Sequence, residues 1–152
     1  RFKCDWSSDV CSSDLEISRS QVLDYVGEVA SGIEILDTRY LPGDIYIGDA
    51  IADNAFAAAY VMGAWRSAAE VDLSSATVSM HEGKSLLSTV TAIQVAGDPW
   101  NAVADISKLL DGKKLPAGSM IFSSLATNEI ALKKGSYKVE ITGLGEATLL
   151  VS

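Results

Sequence analysis

The residues of this chain whose types and spacing could do chemistry are mostly acids. Glu34 interrupts an apolar run, Gly32-Ile33-Glu34-Ile35-Leu36. A carboxylate there is costly unless it is paired, metal-bound or turned to water. Strand alternation puts Glu34, Leu36 and Thr38 on one face and Ile33, Ile35 and Asp37 on the other. A carboxylate on a strand face suits a hard cation such as Mg²⁺. A water-facing glutamate on an edge strand fits the same pattern. The second cluster is Asp49, Asp53 and Asn54, in Gly48-Asp49-Ala50-Ile51-Ala52-Asp53-Asn54-Ala55. Four-residue spacing puts Asp49 and Asp53 on one helical face, able to bind a cation or position a water. Residues of these types also serve as a cap and a turn.

The remaining chemistry is sparse. His81 is the only histidine and is expected in a hairpin turn, exposed and inert, with no His–carboxylate metal motif around it. Ser123-Ser124 have no base partner in sequence, so a Ser–His triad is not expected. Gly143-Leu144-Gly145 lacks phosphate-loop spacing and reads as a turn. The three tryptophans are scattered and form no stacking array for single strands.

These groups need elements to position them. A capping box, Ser18-Arg19-Ser20-Gln21, with Val22, Leu23, Tyr25 and Val26 behind it, predicts a short helix. Gly32 to Tyr40 reads as a strand closed by Pro42-Gly43. Asp49 to Asn54 reads as a helical turn, and the alanine-rich Ala55 to Gly63 fits either a helix or a buried strand. Thr77 to Met80 and Ser85 to Ala92 read as a hairpin joined at His81-Glu82-Gly83-Lys84. Asp98-Pro99 is a strong helix start, after which Trp100, Val103, Ile106, Leu109 and Leu110 line one face until Gly112. Met120 to Phe122, Ile130 to Leu132, Tyr137 to Ile141 and Ala147 to Val151 read as strands. The expected fold class is α+β, β-rich, with one main helix near 99–111.

Composition narrows the classes. Cys4 to Leu15, CDWSSDVCSSDL, resembles a translated sequencing-library adapter, and Arg1-Phe2-Lys3 fits its upstream bases. Residues 1–15 are therefore read as an artefactual segment and excluded from fold reasoning, leaving 16–152 as natural sequence that lacks its own N-terminal part. Both cysteines, Cys4 and Cys11, belong to that segment. The rest has no thiol for a disulfide, a zinc-thiolate site or a nucleophile. The formal net charge is −8 at pH 7, which disfavours nucleic acid and anionic lipid as partners. No apolar run reaches the roughly 18 residues that span a bilayer. With 48% hydrophobic residues, the chain can bury a core, and it is read as a cytoplasmic domain.

Taken in order, several motifs are familiar. Gly32-Ile33-Glu34-Ile35-Leu36-Asp37-Thr38-Arg39 and Asp49-Ala50-Ile51-Ala52-Asp53-Asn54-Ala55 resemble the 2-oxopent-4-enoate hydratase / 4-oxalocrotonate decarboxylase family of the fumarylacetoacetate hydrolase C-terminal superfamily. Gly97-Asp98-Pro99-Trp100-Asn101-Ala102-Val103 is similar to its helix entry. Leu115-Pro116-Ala117-Gly118-Ser119-Met120-Ile121 is similar to its Ala-Gly-x-x-Ile strand, and Lys134-Gly135 with Gly143-Leu144-Gly145 to its closing hairpin. The resemblance runs from about Val22 to Val151; each motif alone is weak and the ordered set is fairly specific.

The resemblance implies a mixed-sheet roll of the fumarylacetoacetase C-terminal type, here the C-terminal part of a catalytic domain. It implies a divalent metal, Mg²⁺ or Mn²⁺, held by three acids: a Glu-x-Glu pair upstream and a third that matches Glu34. No Glu-x-Glu occurs in this chain; it is expected in the missing N-terminal part, with the family's lysine, so the fragment alone is expected to be inactive. The metal chelates the carboxylate and 2-oxo oxygens of a 2-oxo acid and stabilises the developing enolate. The implied activity is hydration of a 2-hydroxydienoate in aromatic meta-cleavage catabolism. The alternatives are a 4-oxalocrotonate-type decarboxylase or a non-catalytic assembly paralogue, and the full-length protein is expected to be a homo-oligomer. Asp53, Asn54 and Thr127 are expected in the substrate pocket, no catalytic residue is assigned, and Arg39 is expected to anchor the strand by pairing with an acid. Two departures touch specificity. Phe56 stands where relatives often carry a small polar residue after Asp-Asn-Ala, and Ser124-Leu125-Ala126-Thr127 stands where they often read Gly-Ser-x-Thr.

Overall fold

The computed structural model describes residues 2–4, 17–41, 43–93, 98–110, 115–122 and 130–152. The chain forms strands β1 (Phe2–Cys4), β2 (Val26–Val29), β3 (Gly32–Leu36), β4 (Ala57–Met62), β5 (Arg66–Ser67), β6 (Thr77–Glu82), β7 (Ser85–Thr91), β8 (Met120–Ile121), β9 (Gly135–Ile141) and β10 (Gly145–Val151). Helices α1 (Ile47–Ala52) and α2 (Pro99–Leu109) accompany the strands, with short 3-10 segments. The result is a sheet-rich mixed α/β fold with few helices.

The strands make three sheets: β5-β2-β1-β8, β10-β9-β6-β7, and the two-stranded β3-β4 ribbon. Phe2–Cys4 lies antiparallel between β2 and β8. Main-chain pairing asks only for an extended segment, so this strand speaks to the place available between β2 and β8 rather than to the origin of residues 1–15. Two adjoining cores hold the sheets. The first gathers Val22, Val26, Val29, Ile121 and Leu144 around Trp100, Val103 and Ala104 of α2. The second gathers Ile33, Val78, Met80, Tyr137, Val139 and Ala147 between the ribbon and the β10-β9-β6-β7 sheet.

Helix α2 starts as its sequence dictates. Asp98 caps it, its Oδ1 accepting from the Trp100 N–H at 3.0 Å, with Pro99 at the first position. Trp100, Val103 and Ala104 are buried, but Leu109 is 83% exposed, so the apolar stripe outlasts the surface it packs on. Gly112 lies outside the described residues. The capping-box sequence gives a short 3-10 turn segment, Arg19–Asp24, and not the expected helix through Val26, which opens β2. That turn is tied to α2 by Arg19 Nε–Asp98 Oδ2 at 2.6 Å and Ile17 N–Ser107 Oγ at 3.0 Å.

Other expectations shift. The ambiguous Ala55–Gly63 stretch is strand from Ala57. β3 ends at Leu36, because Asp37 to Arg39 turn toward Asp53. The hairpin turn is only Gly83-Lys84, so His81 sits half-buried in β6, beside a register shift at Met80/His81. Ile130 to Leu132 is not a strand.

Ribbon placement depends on one glycine. A Cβ at Gly63 would meet the Glu146 carbonyl oxygen and Ser31 Oγ, both at 2.4 Å. This close approach brings the end of β4 against β10, and any side chain there would push the two apart.

Candidate active-site face

The ribbon has two unlike sides. In β3, Ile33 is buried against the second core while Glu34 is exposed. Antiparallel pairing sets Gly32 opposite Met62 and Glu34 opposite Tyr60, and directly opposed residues share a face. The outer side therefore carries Gly32 and Glu34 from β3 with Tyr60 and Met62 from β4. Phe122, just beyond β8, comes down on it: its Cε1 lies 3.7 Å from the Cβ position of Gly32. The Phe122 ring meets the Tyr60 ring edge-on, with centroids 5.7 Å apart and an interplanar angle of 61°. Tyr60 remains 49% exposed. The product is one carboxylate on an open face with an aromatic wall beside it.

Glu34 is a hard oxygen donor that no hydrogen bond or ion pair occupies among the described residues, which suits it to a divalent cation. No group of three or more His, Cys, Asp or Glu that could hold a metal exists among the described residues. A single carboxylate holds a hydrated dication weakly.

The Asp49–Asn54 cluster behaves differently. Asp49 lies in the first turn of α1, and its Oδ2 accepts from the Tyr46 N–H at 3.0 Å. Asp53 is 3% exposed. Its Oδ2 accepts from Thr38 Oγ1 at 3.0 Å and from the Arg39 N–H at 2.9 Å, and its Oδ1 pairs with the Arg39 guanidinium. The backbone N–H of Arg39 is the foremost influence holding this carboxyl below its ordinary value; burial opposes it, and the Arg39 and Thr38 side chains reinforce it. Arg39 thus pairs with an acid as expected, and the acid is Asp53.

Directly after this clamp the backbone turns left-handed. Asn54, Ala55 and Phe56 have φ of 53°, 51° and 65°, a conformation that costs an L-residue roughly 1–2 kcal/mol. The turn is held by Phe56 N–Asp53 O at 2.9 Å, Asp37 N–Phe56 O at 3.0 Å and Asn54 Nδ2–Ala57 O at 3.1 Å. Such local strain persists only where its surroundings over-determine it, and the Asp53 clamp and the start of the ribbon supply that here.

The structure thus brings Asp53 and Asn54 together at the foot of the ribbon and sets Glu34 on its outer side. Thr127 and Ser123-Ser124 lie outside the described residues. Tyr60 and Phe122, which complete the Glu34 face, were not singled out by sequence; Tyr60 fell in the ambiguous alanine-rich stretch, and Phe122 meets it only through the fold.

Known proteins resemble this chain in sequence and fold. Over 128 residues the chain is 34% identical to a 4-oxalocrotonate decarboxylase of Pseudomonas sp, covering 82% of this chain and 50% of that protein. It is 29% identical over 143 residues to a 2-keto-4-pentenoate hydratase of Paraburkholderia phymatum, covering 90% and 55%. The chain is a homologue of the 2-keto-4-pentenoate hydratases and 4-oxalocrotonate decarboxylases. For this hydratase/decarboxylase family, a solved 4-oxalocrotonate decarboxylase from Pseudomonas putida G7, complexed with magnesium and adipate, superposes with a TM-score of 0.76. It is 24% identical and covers 97% of this chain and 55% of that one, so the chain has the decarboxylase fold. The chain spans about half the length of the curated relatives it matches. No protein-family model matches it.

Proposed function

We propose that this chain is the C-terminal part of a fumarylacetoacetase-type roll in a metal-dependent 2-keto-4-pentenoate hydratase. The proposed reaction adds water to a 2-hydroxydienoate in aromatic meta-cleavage catabolism. The observation that carries the metal reading is Glu34, exposed on the outer side of the ribbon with an aromatic pair beside it. A solved relative complexed with magnesium supports a divalent cation, Mg²⁺ or Mn²⁺, at that carboxylate. When bound, such an ion polarises the carboxylate and 2-oxo oxygens of the substrate and lowers the energy of the enolate. Glu34 would hold the ion from β3, and Tyr60 and Phe122 would shield one side of the site from water. Asp53 keeps both oxygens on Thr38 and Arg39, so its part in the pocket is to fix the turn that carries Asn54. Thr127 remains a proposed substrate contact by resemblance.

A second reading, a 4-oxalocrotonate-type decarboxylase, is favoured by the 34% identity to a protein of that name. We read the whole protein as a cytoplasmic homo-oligomer. Among the described residues no helix is long and apolar enough to cross a membrane. Tyr46, Ile47 and Ile51 are exposed on and beside α1, apolar surface of the kind that assembly covers.

The test reads the encoding DNA upstream of Glu16 and assays the protein that it specifies. With Mg²⁺, loss of 2-hydroxypenta-2,4-dienoate absorbance supports the hydratase. Release of CO₂ from 4-oxalocrotonate without hydration assigns the decarboxylase. Turnover of neither, together with an upstream frame that lacks a Glu-x-Glu pair, leaves Glu34 without co-ligands and overturns both in favour of the non-catalytic paralogue.

A further inference from the structure

We propose that Tyr60, braced by Phe122, is a specificity-determining residue that selects flat, conjugated 2-oxo acids over saturated ones; this rests on the reading of Glu34 as a metal ligand. The register places Tyr60 directly opposite Glu34 on the same side of the ribbon. Opposed side chains in an antiparallel pair start about 5 Å apart, so an acid held at Glu34 lies within reach of the Tyr60 ring. That ring is half exposed, and its tilt is fixed by the edge-on contact with Phe122. The Phe122 ring lies over Gly32, its Cε1 3.7 Å from that residue's Cβ position.

A fixed aromatic ring beside a charge-binding point discriminates by shape. A conjugated chain is planar and can lay its whole length against the ring with dispersion contact at every carbon. A saturated chain of equal length is puckered, touches at fewer atoms and loses rotational freedom when it flattens. The preference therefore follows from the ring and not from the carboxylate. Tyr60 is a recognition group, and Glu34 supplies what both kinds of acid share.

The probes are 2-oxopent-3-enoate and 2-oxopentanoate, equal in carbon count and different by one double bond. Their binding to the full-length protein that the encoding DNA specifies, upstream frame included, is followed by ligand-observed NMR with and without Mg²⁺. The expected result is Mg²⁺-dependent binding of both, with the conjugated acid about five-fold tighter, the worth of one aromatic packing contact. Tyr60→Leu should remove that preference, weakening the conjugated acid several-fold more than the saturated one, and Tyr60→Phe should retain it. Equal binding of the two acids by the native chain, or a preference that survives Tyr60→Leu, overturns the role of Tyr60 and leaves Glu34 untouched. Absence of any Mg²⁺-dependent binding, or binding that Glu34→Gln does not weaken, overturns the Glu34 reading and this inference with it.

Discussion

Two acids of one ribbon, one at its foot and one midway along its outer side, live under opposite conditions. Asp53, at its foot, is buried, and both its oxygens are taken by Thr38 and Arg39. Glu34, on its outer side, is exposed, with no side-chain hydrogen bond or ion pair among the described residues. A buried carboxylate surrounded by donors has become part of the frame, since a bare one could not be tolerated there. A carboxylate left in the open above an aromatic pair has its coordination capacity unspent. On the proposed reading the contrast separates structural acid from ligand acid within 20 residues of sequence, where residue type alone treats them alike.

The contrast is broken most forcefully at Asp53. Asp53→Ala leaves the Arg39 N–H and Thr38 hydroxyl without their acceptor and releases the left-handed turn, so Tm measured by circular dichroism should fall by many degrees. Asp53→Asn should fall less, because the amide oxygen still accepts one donor. A Tm unchanged in both variants would place the clamp outside the cooperative fold.

The acid limb of the stability curve follows from the same group. Asp53 is held below its ordinary value of 3.8. Its stabilising contribution is therefore fully present above 3.8 and is lost as pH falls through the lower folded value. Urea midpoints measured from pH 5 downward should decline in the native chain and decline less in Asp53→Asn. Asp72, held low foremost by the Ser74 hydroxyl, contributes to the decline that remains.

A smaller effect is expected at Ala55. Its φ of 51° suits glycine, so Ala55→Gly should stabilise the fold by about 0.5 kcal/mol, the left-handed penalty less glycine's entropy cost. Destabilisation of similar size in a urea titration would show that the turn relaxes in solution. Smallest of all, Glu34→Gln should leave Tm unchanged, because the side chain supports nothing around it.

How much of this was legible depends on how local each cause is. Asp98-Pro99 announces α2 because the cap and its helix are adjacent in sequence. The pattern could not show that Leu109 would face water, since that depends on where the packing partner ends. Arg39 was legible as the partner of an acid, because a guanidinium at a strand's end needs one, yet the sequence did not say which. Asn54-Ala55-Phe56 carries no glycine to signal a left-handed turn; tertiary contacts impose it. Ser18 to Gln21 gave a 3-10 turn because Val26 is claimed by pairing with β1 and by the first core. Glu34 was found from its misfit in an apolar run. Tyr60 and Phe122 were not, since 61 residues separate them and only the docking of Phe122 on Gly32 brings them together.

The most direct test of the contrast is a Mn²⁺ titration of isotope-labelled chain followed by amide NMR, where the paramagnetic ion broadens whatever lies near it. Broadening centred on Glu34 and Tyr60, absent in Glu34→Gln, is the predicted result. Broadening centred on Asp53, or unchanged by Glu34→Gln, would contradict the assignment of Glu34 as the ligand acid.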